Sequence, residues 1–362
     1  MTIISTRPTA DTERVKSIYA DLSTRIRDAG LLKKNVPFYM RKFIGVTVLS
    51  LITWAGVLLL AGTPWALLLA PVIGILTAQY GFLAHESAHK QVFNSNKANK
   101  WFALITANLF VGLSYGWWDK KKHSLHHANP NTVGRDPDIT IPVLAFTSDD
   151  YDAKARGPVM GFLTRHQGYL FPFLLLFTMF DLLANSVRSL LSKSAKLDSR
   201  WLELGLIALR IFVPLAALLF LFNPFIAVGF VLIQMAVTGL FMGGAFAPNH
   251  KGMPIIPKDL KVDYLRRQVL TSRDIRSNWL VDNLMGGLNY QIEHHLFPSM
   301  PRPSLRKAQA IVREFCAEHN ISYVETGLFE SYNIVMKYLN RVGLRDSDPF
   351  SCPMTTQFRQ LA

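Results

Sequence analysis

Two long stretches of this chain carry no charged side chain. From Phe43 to Ala84, and again from Ile211 to Asn249, there is no Asp, Glu, Lys or Arg. One helical crossing of a bilayer takes roughly 20 apolar residues, so each stretch is long enough for two crossings. Each also has an uncharged break near its middle, "AGTPW" at residues 61–65 and "FNPF" at residues 222–225. The pattern predicts two helical hairpins, with spans at residues 43–60, 65–84, 204–222 and 225–245. Composition agrees with this. Mean hydropathy is +0.19, and 18% of the 362 residues are charged, against about 25% in an ordinary soluble chain.

The net charge of +14 raises the question of nucleic acid, but excess Lys and Arg in a membrane protein mark its cytoplasmic segments. Basic residues lie outside the breaks: Arg41 and Lys42, Lys90, Arg200 and Arg210, and Lys251. The outer flanks and both termini are therefore expected in the cytoplasm, and the short turns outside. The expectation is a multi-pass integral membrane protein whose surroundings are the lipid bilayer, with no nucleic acid partner. The first forty residues are polar and mixed in charge, and no cleavable signal is expected. Cys316 and Cys352 form no framework and read as reduced thiols. Arg210 sits inside its span and must snorkel or face protein.

Two further apolar segments, residues 101–118 and 169–187, are nearly long enough to span. Both are basic at both ends: Lys97, Lys100 and Lys120 to Lys122 bracket the first, and Arg156, Arg165, Arg188, Lys193 and Lys196 bracket the second. Such segments are expected to lie in the interface or to re-enter. The chain then divides into a cytoplasmic N-terminal segment (residues 1–42), a main domain (43–325) and a cytoplasmic C-terminal segment (326–362).

Eight of the ten histidines fall into four groups. "HESAH" holds His85 and His89, "HSLHH" holds His123, His126 and His127, "APNHKG" holds His250, and "QIEHH" holds His294 and His295 behind Gln291. On a helix, residues three and four apart share a face, so each motif is expected to aim its imidazoles at one point. Imidazole suits zinc, copper, iron and nickel. If the spans are placed correctly, all four groups meet at one membrane face. "HESAH" alone also matches the H-E-x-x-H string in which two His bind zinc and a Glu acts as general base. A catalytic zinc takes three protein ligands; eight histidines and a Gln fit two metals.

The order H-x-x-x-H, H-x-x-H-H, Q-x-x-H-H around two hydrophobic hairpins resembles the membrane-bound fatty acid desaturases, and "QIEHHLFPSMPR" resembles their linoleoyl-CoA-like and front-end branch. The resemblance covers roughly residues 40–325. It implies an all-α integral membrane enzyme: four transmembrane helices in two hairpins, interfacial helices, and a cytoplasmic helical cap holding a dimetal site. The resemblance implies two iron ions, with O2 as co-substrate. Two electrons are used, and two hydrogens leave an unactivated CH2–CH2 pair of a long acyl chain carried on CoA or a lipid. It makes His85, His89, His123, His126, His127, His294 and His295 ligands, with His250 as a further one. Gln291 stands where many relatives have His, and either ligates through its carbonyl or only hydrogen-bonds. Asn249 is read as holding a water beside the metals.

Glu86 and Glu293 are read as acceptors orienting imidazole N–H groups, whereas Asp136 and Asp138 of "GRDPD" either do the same or form a Pro-directed turn. Trp117 and Trp118 are read as interfacial anchors, and His166 and His319 as outside the site. No H-P-G-G haem motif is present, so electrons are expected from a separate protein: a ferredoxin, a flavin or iron–sulfur reductase, or a cytochrome b5. No nucleotide-binding signature is present, so the chain is not expected to bind NAD(P)H. Two rivals share part of the pattern: a hydroxylase on the same scaffold, and an intramembrane zinc protease.

Overall fold

A computed structural model describes residues 10–344 except Ser194 and Lys196, leaving aside the side chains of residues 10–17 and of Lys121. Cys352, Lys196 and the ends of both terminal segments lie outside the described residues. The named helices are α1 (Ala10–Asp28), α2 (Val36–Leu59), α3 (Ala70–Ala88), α4 (Asn96–Leu104), α5 (Ser124–Ala128), α6 (Gln167–Leu175), α7 (Thr178–Leu191), α8 (Arg200–Leu221), α9 (Pro224–His250), α10 (Tyr264–Leu270), α11 (Trp279–Leu284), α12 (Gln291–Leu296), α13 (Arg302–Glu318) and α14 (Leu328–Leu344). Asp274–Ile275 (β1) and Glu325–Thr326 (β2) pair in parallel.

Among the described residues, four helical stretches are long and apolar enough to cross a membrane: Val36–Leu59, Pro64–Ala88, Arg200–Leu221 and Pro224–His250. They are the two expected hairpins. Their ends run past the expected limits because a helix does not stop where the hydrocarbon stops. The first begins upstream of Arg41 and Lys42, and the second and fourth continue until they carry His85 and His250, with His89 capping the second.

α2 and α8 lie outermost, showing Ile44, Leu51 and Ile52, and Phe212 and Phe220, to the surroundings. α3 and α9 are packed between other helices. They approach closely because Gly74 has no side chain: a Cβ there would come within 2.8 Å of both the Gln234 carbonyl and Val237. Thr238 Oγ1 donates to the Gly74 carbonyl across this crossing (3.1 Å). Small residues that let backbones meet, joined by side-chain hydrogen bonds, are how helices associate in lipid.

Neither additional apolar segment is a straight span. α6 and α7 meet at a 71° bend, and the bend rests on Gly239, where a Cβ would lie 2.9 Å from the Leu175 carbonyl. The stretch after α4 continues as a π-helix, Ile105–Val111, and ends at Gly112 in a left-handed conformation (φ 93°). A half-buried arginine and a buried glutamate secure this end. Arg210 Nε donates to the Phe110 carbonyl (2.9 Å), so it faces protein. Glu203 Oε2 accepts from Asn108 Nδ2, Ser114 Oγ and the Gly116 N–H (3.2, 2.6 and 3.1 Å). The chain then returns through Tyr115–Trp118 and a further π-helical turn, Asp119–His123, to α5.

The cap is a second core. α1, α10, α12 and α13 enclose Leu22, Ile26, Leu265, Val269, Ile292, Leu296, Val312 and Phe315. This core holds the third histidine motif against the ends of α3 and α9.

Candidate metal centre

The eight clustered histidines converge, but each H-x-x-H-H motif divides. The facing nitrogens of His85, His89, His123 and His127 lie within 4.8 Å of one another. The His294 ring joins this set, 4.8, 4.6 and 4.9 Å by centroid from those of His85, His89 and His127. His126, His250 and His295 form a second set with the same nitrogen spacing, and Gln291 Nε2 lies 2.8 Å from His250 Nε2. The sets adjoin where the His127 and His295 rings stack at 4.2 Å. The expectation that each motif aims at one point is thus corrected. Neighbouring residues on a helix point about 100° apart, so His123 and His127 serve one set and His126 the other. Gln291 and His295 likewise serve the second set and His294 the first.

The donors fit metal ions. His89 Nε2 faces His127 Nε2 at 3.0 Å, and His126 Nε2 faces His250 Nε2 at 3.3 Å. Imidazole nitrogens about 2.0–2.1 Å from a shared cation are separated by roughly 3.0–3.4 Å at ordinary coordination angles. Nε2 of His85, His294 and His295 is buried with no hydrogen-bond partner, which is costly unless something else binds it.

The opposite ring nitrogens of the second set are anchored, which fixes tautomer and ring plane. His126 Nδ1 is bound by Asp136 (3.0 and 3.1 Å), His250 Nδ1 meets the Thr271 carbonyl (3.0 Å), and His295 Nδ1 meets Gln268 Oε1 (2.9 Å). Gln268 in turn donates to the His127 carbonyl (3.0 Å). Asp136 also accepts from the N–H groups of Asn131 and Asp138 (2.7 and 2.8 Å). Asp138 pairs with Lys122 at 3.2 Å and lies 3.6 Å from His126 Nδ1.

Burial holds His127 and His295 well below the ordinary histidine range and pushes His294 down to about 3. These rings are neutral at neutral pH, as ligation requires. At His126 burial also disfavours charge, but the Asp136 and Asp138 carboxylates outweigh it and raise the pKa.

Three expectations from sequence meet a different geometry. Glu86 binds no imidazole; both its oxygens are taken by Arg302 (2.5 and 2.6 Å). Glu293 likewise turns away from the clustered imidazoles. Its Oε1 lies 3.0 Å from the Tyr323 hydroxyl, whose one proton goes to Asp274 (2.6 Å). Trp118 stacks on His123 at 4.2 Å and meets His85 edge-on at 5.7 Å, so it is a wall of the site. Gln291 Oε1 accepts from Asn249 Nδ2 (3.0 Å), which also reaches the Ala245 and Leu288 carbonyls (both 2.9 Å). This network presents the Gln291 amino group, not its carbonyl, to His250. Asn249 Oδ1 is buried without a partner. His166 and His319 lie elsewhere, each bonded to the carbonyl four residues earlier.

Sequence reasoning missed Thr271, Gln268, Arg302, Asp274 and Tyr323. Asp274 pins the third motif by accepting from the Ile292 N–H and from Gln309 (both 2.9 Å). Arg273, fully buried, donates to the Pro248 and Lys251 carbonyls. It thereby closes the end of α9 that carries His250, where helix carbonyls lack partners.

On the side of His89, His123 and His127 a cavity of about 480 Å³ opens to solvent, bounded by Lys90, Asp119, Ser124, Pro298 and Ser299. A cluster of histidines compatible with a metal site, at one end of four candidate spans, defines a class of membrane enzyme. The chain belongs to the fatty acid desaturase family, whose profile matches residues 62–327. It is 28% identical to the Delta(6)-fatty-acid desaturase fat-3 of Caenorhabditis elegans, over 92% of this chain and 76% of that one. It is 31% identical to an acyl-lipid (9-3)-desaturase of Physcomitrium patens, over 75% of this chain and 52% of that one. Against the Delta(8)-fatty-acid desaturase 1 of Arabidopsis thaliana the identity is 27%, over 91% and 75%. Enzymes so named are oxidoreductases, and so is this one.

Proposed function

We propose that the chain inserts a cis double bond into a long acyl chain, carried as acyl-CoA or acyl lipid, with O2 and two electrons at a di-iron centre. The observation behind this is the sorting of eight histidines into two adjoining sets with facing nitrogens. In this reading His85, His89, His123, His127 and His294 hold one iron, and His126, His250 and His295 the other. The irons, when bound, supply the O2-dependent cleavage of unactivated C–H bonds. Such bonds release no acidic proton, so the chain needs neither a general base nor a nucleophile.

The protein's part is placement. Asp136, Thr271 and Gln268 fix the imidazoles. Trp118 walls the centre, and the burial of most of these ligands limits water there. Gln291, held by Asn249, lies beside His250 at the second iron, and Asn249 Oδ1 is the acceptor for a water beside the metals. A bent apolar path would present one C–C bond of the substrate to the irons, and holding reactants in such geometry lowers the barrier. Residues 43–325 form the desaturase domain, with both termini cytoplasmic. Electrons come from a separate ferredoxin, flavin or iron–sulfur reductase, or cytochrome b5.

The test is expression in a host of known lipid profile, aerobically and with a competent donor, followed by fatty-acid mass spectrometry. A new species two hydrogens lighter than its precursor, absent with His89→Ala, is the expected result. A product one oxygen heavier would instead indicate a hydroxylase, and no new product would refute the proposal.

A further inference from the structure

One surface of the cap has a composition that suits neither water nor a protein core. Trp279, Leu280 and Phe329 are 79%, 54% and 87% exposed. They form one patch, because β1 and β2 place their segments side by side and Arg276, before α11, pairs with Glu330, after Phe329, at 3.7 Å. The opposite face of α11 is buried. Val281 and Met285 pack with Phe82 of α3, Ala245 of α9 and Leu328. α11 therefore lies against two spans, beside residues about 8–9 Å short of their ends at the 1.5 Å rise of a helix.

A second contact fixes the depth independently. Lys42 Nζ reaches Asn283 Oδ1 of α11, and Lys42 stands two residues before Ile44, where the exposed apolar belt of α2 begins. The patch is thus continuous with the lipid-facing surface of the spans. Its rim carries Lys42, through Asn283, and the exposed Arg276–Glu330 pair. Tryptophan and phenylalanine flanked by Lys and Arg are the residues found where a protein enters the headgroup boundary.

We propose that α11 and Phe329 are embedded in the leaflet that adjoins the histidine centre, with Trp279, Leu280 and Phe329 among lipid acyl chains and Arg276 at the phosphates. The cap is then a membrane-dipping element, and the apolar cluster of Phe82, Ala245 and Met285 separates the bilayer from the metal centre. Phe246, in the same cluster, meets the His85 ring at 5.5 Å.

The test places nitroxide labels on the full-length protein in nanodiscs of phosphatidylcholine and phosphatidylglycerol. Labels at Leu280→Cys and Phe329→Cys, in a Cys352→Ser background, are compared with a lipid-facing reference, Ile52→Cys, and a water-facing one, Glu314→Cys. Collision with O2, which concentrates among acyl chains, is set against collision with a water-soluble nickel chelate. Both positions are expected to match Ile52, with nickel collisions several-fold fewer than at Glu314. Nickel access at either position equal to that at Glu314 would overturn the proposal. An unlabelled control protects against distortion by the labels: Trp279→Phe should remove part of the emission that bromine-substituted lipid quenches. Unchanged quenchable emission would also count against the proposal.

Discussion

Arg302 grips Glu86 with two parallel hydrogen bonds, Nε to Oε1 at 2.5 Å and a terminal guanidinium nitrogen to Oε2 at 2.6 Å, both side chains being buried. The pair joins the first histidine motif to the segment that follows the third. Tyr39 extends it, accepting from the Arg302 N–H (3.0 Å) and donating to Gln91 (3.1 Å), which donates to the Pro298 carbonyl (2.8 Å). Gly287, at φ 79°, leaves room for the arginine, because a Cβ there would lie 2.6 Å from its side chain. In "HESAH" the glutamate is therefore an anchor. A carboxylate committed in this way is not free to serve as the base of a zinc protease.

Glu86→Gln should leave Arg302 buried without its counter-charge. Breaking a buried pair from one side costs about 3–5 kcal/mol, so the melting temperature should fall clearly while some desaturation survives in the folded fraction. Replacing both residues, as Glu86→Gln with Arg302→Met, should restore part of the loss, as coupled neighbours do. Thermal unfolding of the four proteins measures this. Complete loss of activity at unchanged stability would contradict the anchoring role.

Asp136→Asn should weaken metal binding while leaving the fold in place. The Asn131 and Asp138 N–H groups donate to different carboxylate oxygens, so the amide keeps only one of these bonds, and it no longer provides the charged partner of His126 Nδ1. Loss of such a partner typically costs 10–100-fold in metal affinity or activity. Iron titration of the apoprotein reads the effect, and wild-type affinity in the variant would remove Asp136 from this role.

The acid limb of stability follows from the histidines. Burial lowers His127, His294 and His295 in the folded chain, whereas an unfolded histidine titrates at about 6.5. Below that value the unfolded chain takes up protons that the folded chain refuses, so the apoprotein loses stability as pH falls through 6 and is steadiest above 7. His126, raised beyond burial by its carboxylates, and Glu293, raised by burial and by Asp274, work in the opposite direction, and the three lowered rings outnumber them. Apoprotein melting temperatures between pH 8 and pH 5 should decline, and a flat or rising profile would refute this.

Cys316 should be inert in the folded protein. It is fully buried in the cap core, and burial, with the nearby Glu293 and Asp274, pushes its thiol up to about 12. The thiolate is the reactive form, so at pH 8 almost none is present. Peptide mapping after alkylation should find Cys316 unmodified until denaturant is added. Rapid modification of the native protein would show that this core opens.

The four spans were legible in sequence because missing charge is a local property, readable one residue after another. The eight histidines were legible because their spacing is that of a helix face. The division of His126 from His127, and of His294 from His295, lay in the same helical geometry but was masked by treating each motif as one face. What could not be read depends on contacts across the chain. Glu86 and Arg302, His250 and Thr271, and Asp274 and Ile292 come together only when the cap closes on the spans. A glutamate inside a histidine motif carries no local sign that its partner is an arginine beyond another motif.

The metal content of the chain tests the central claim most directly. Protein purified without oxygen, from a host not overloaded with metal, should hold two irons per chain. His89→Ala and His295→Ala, one from each set, should each lower that content. One zinc per chain with no iron, unchanged by His295→Ala, would contradict the two-metal account and return "HESAH" to the protease reading.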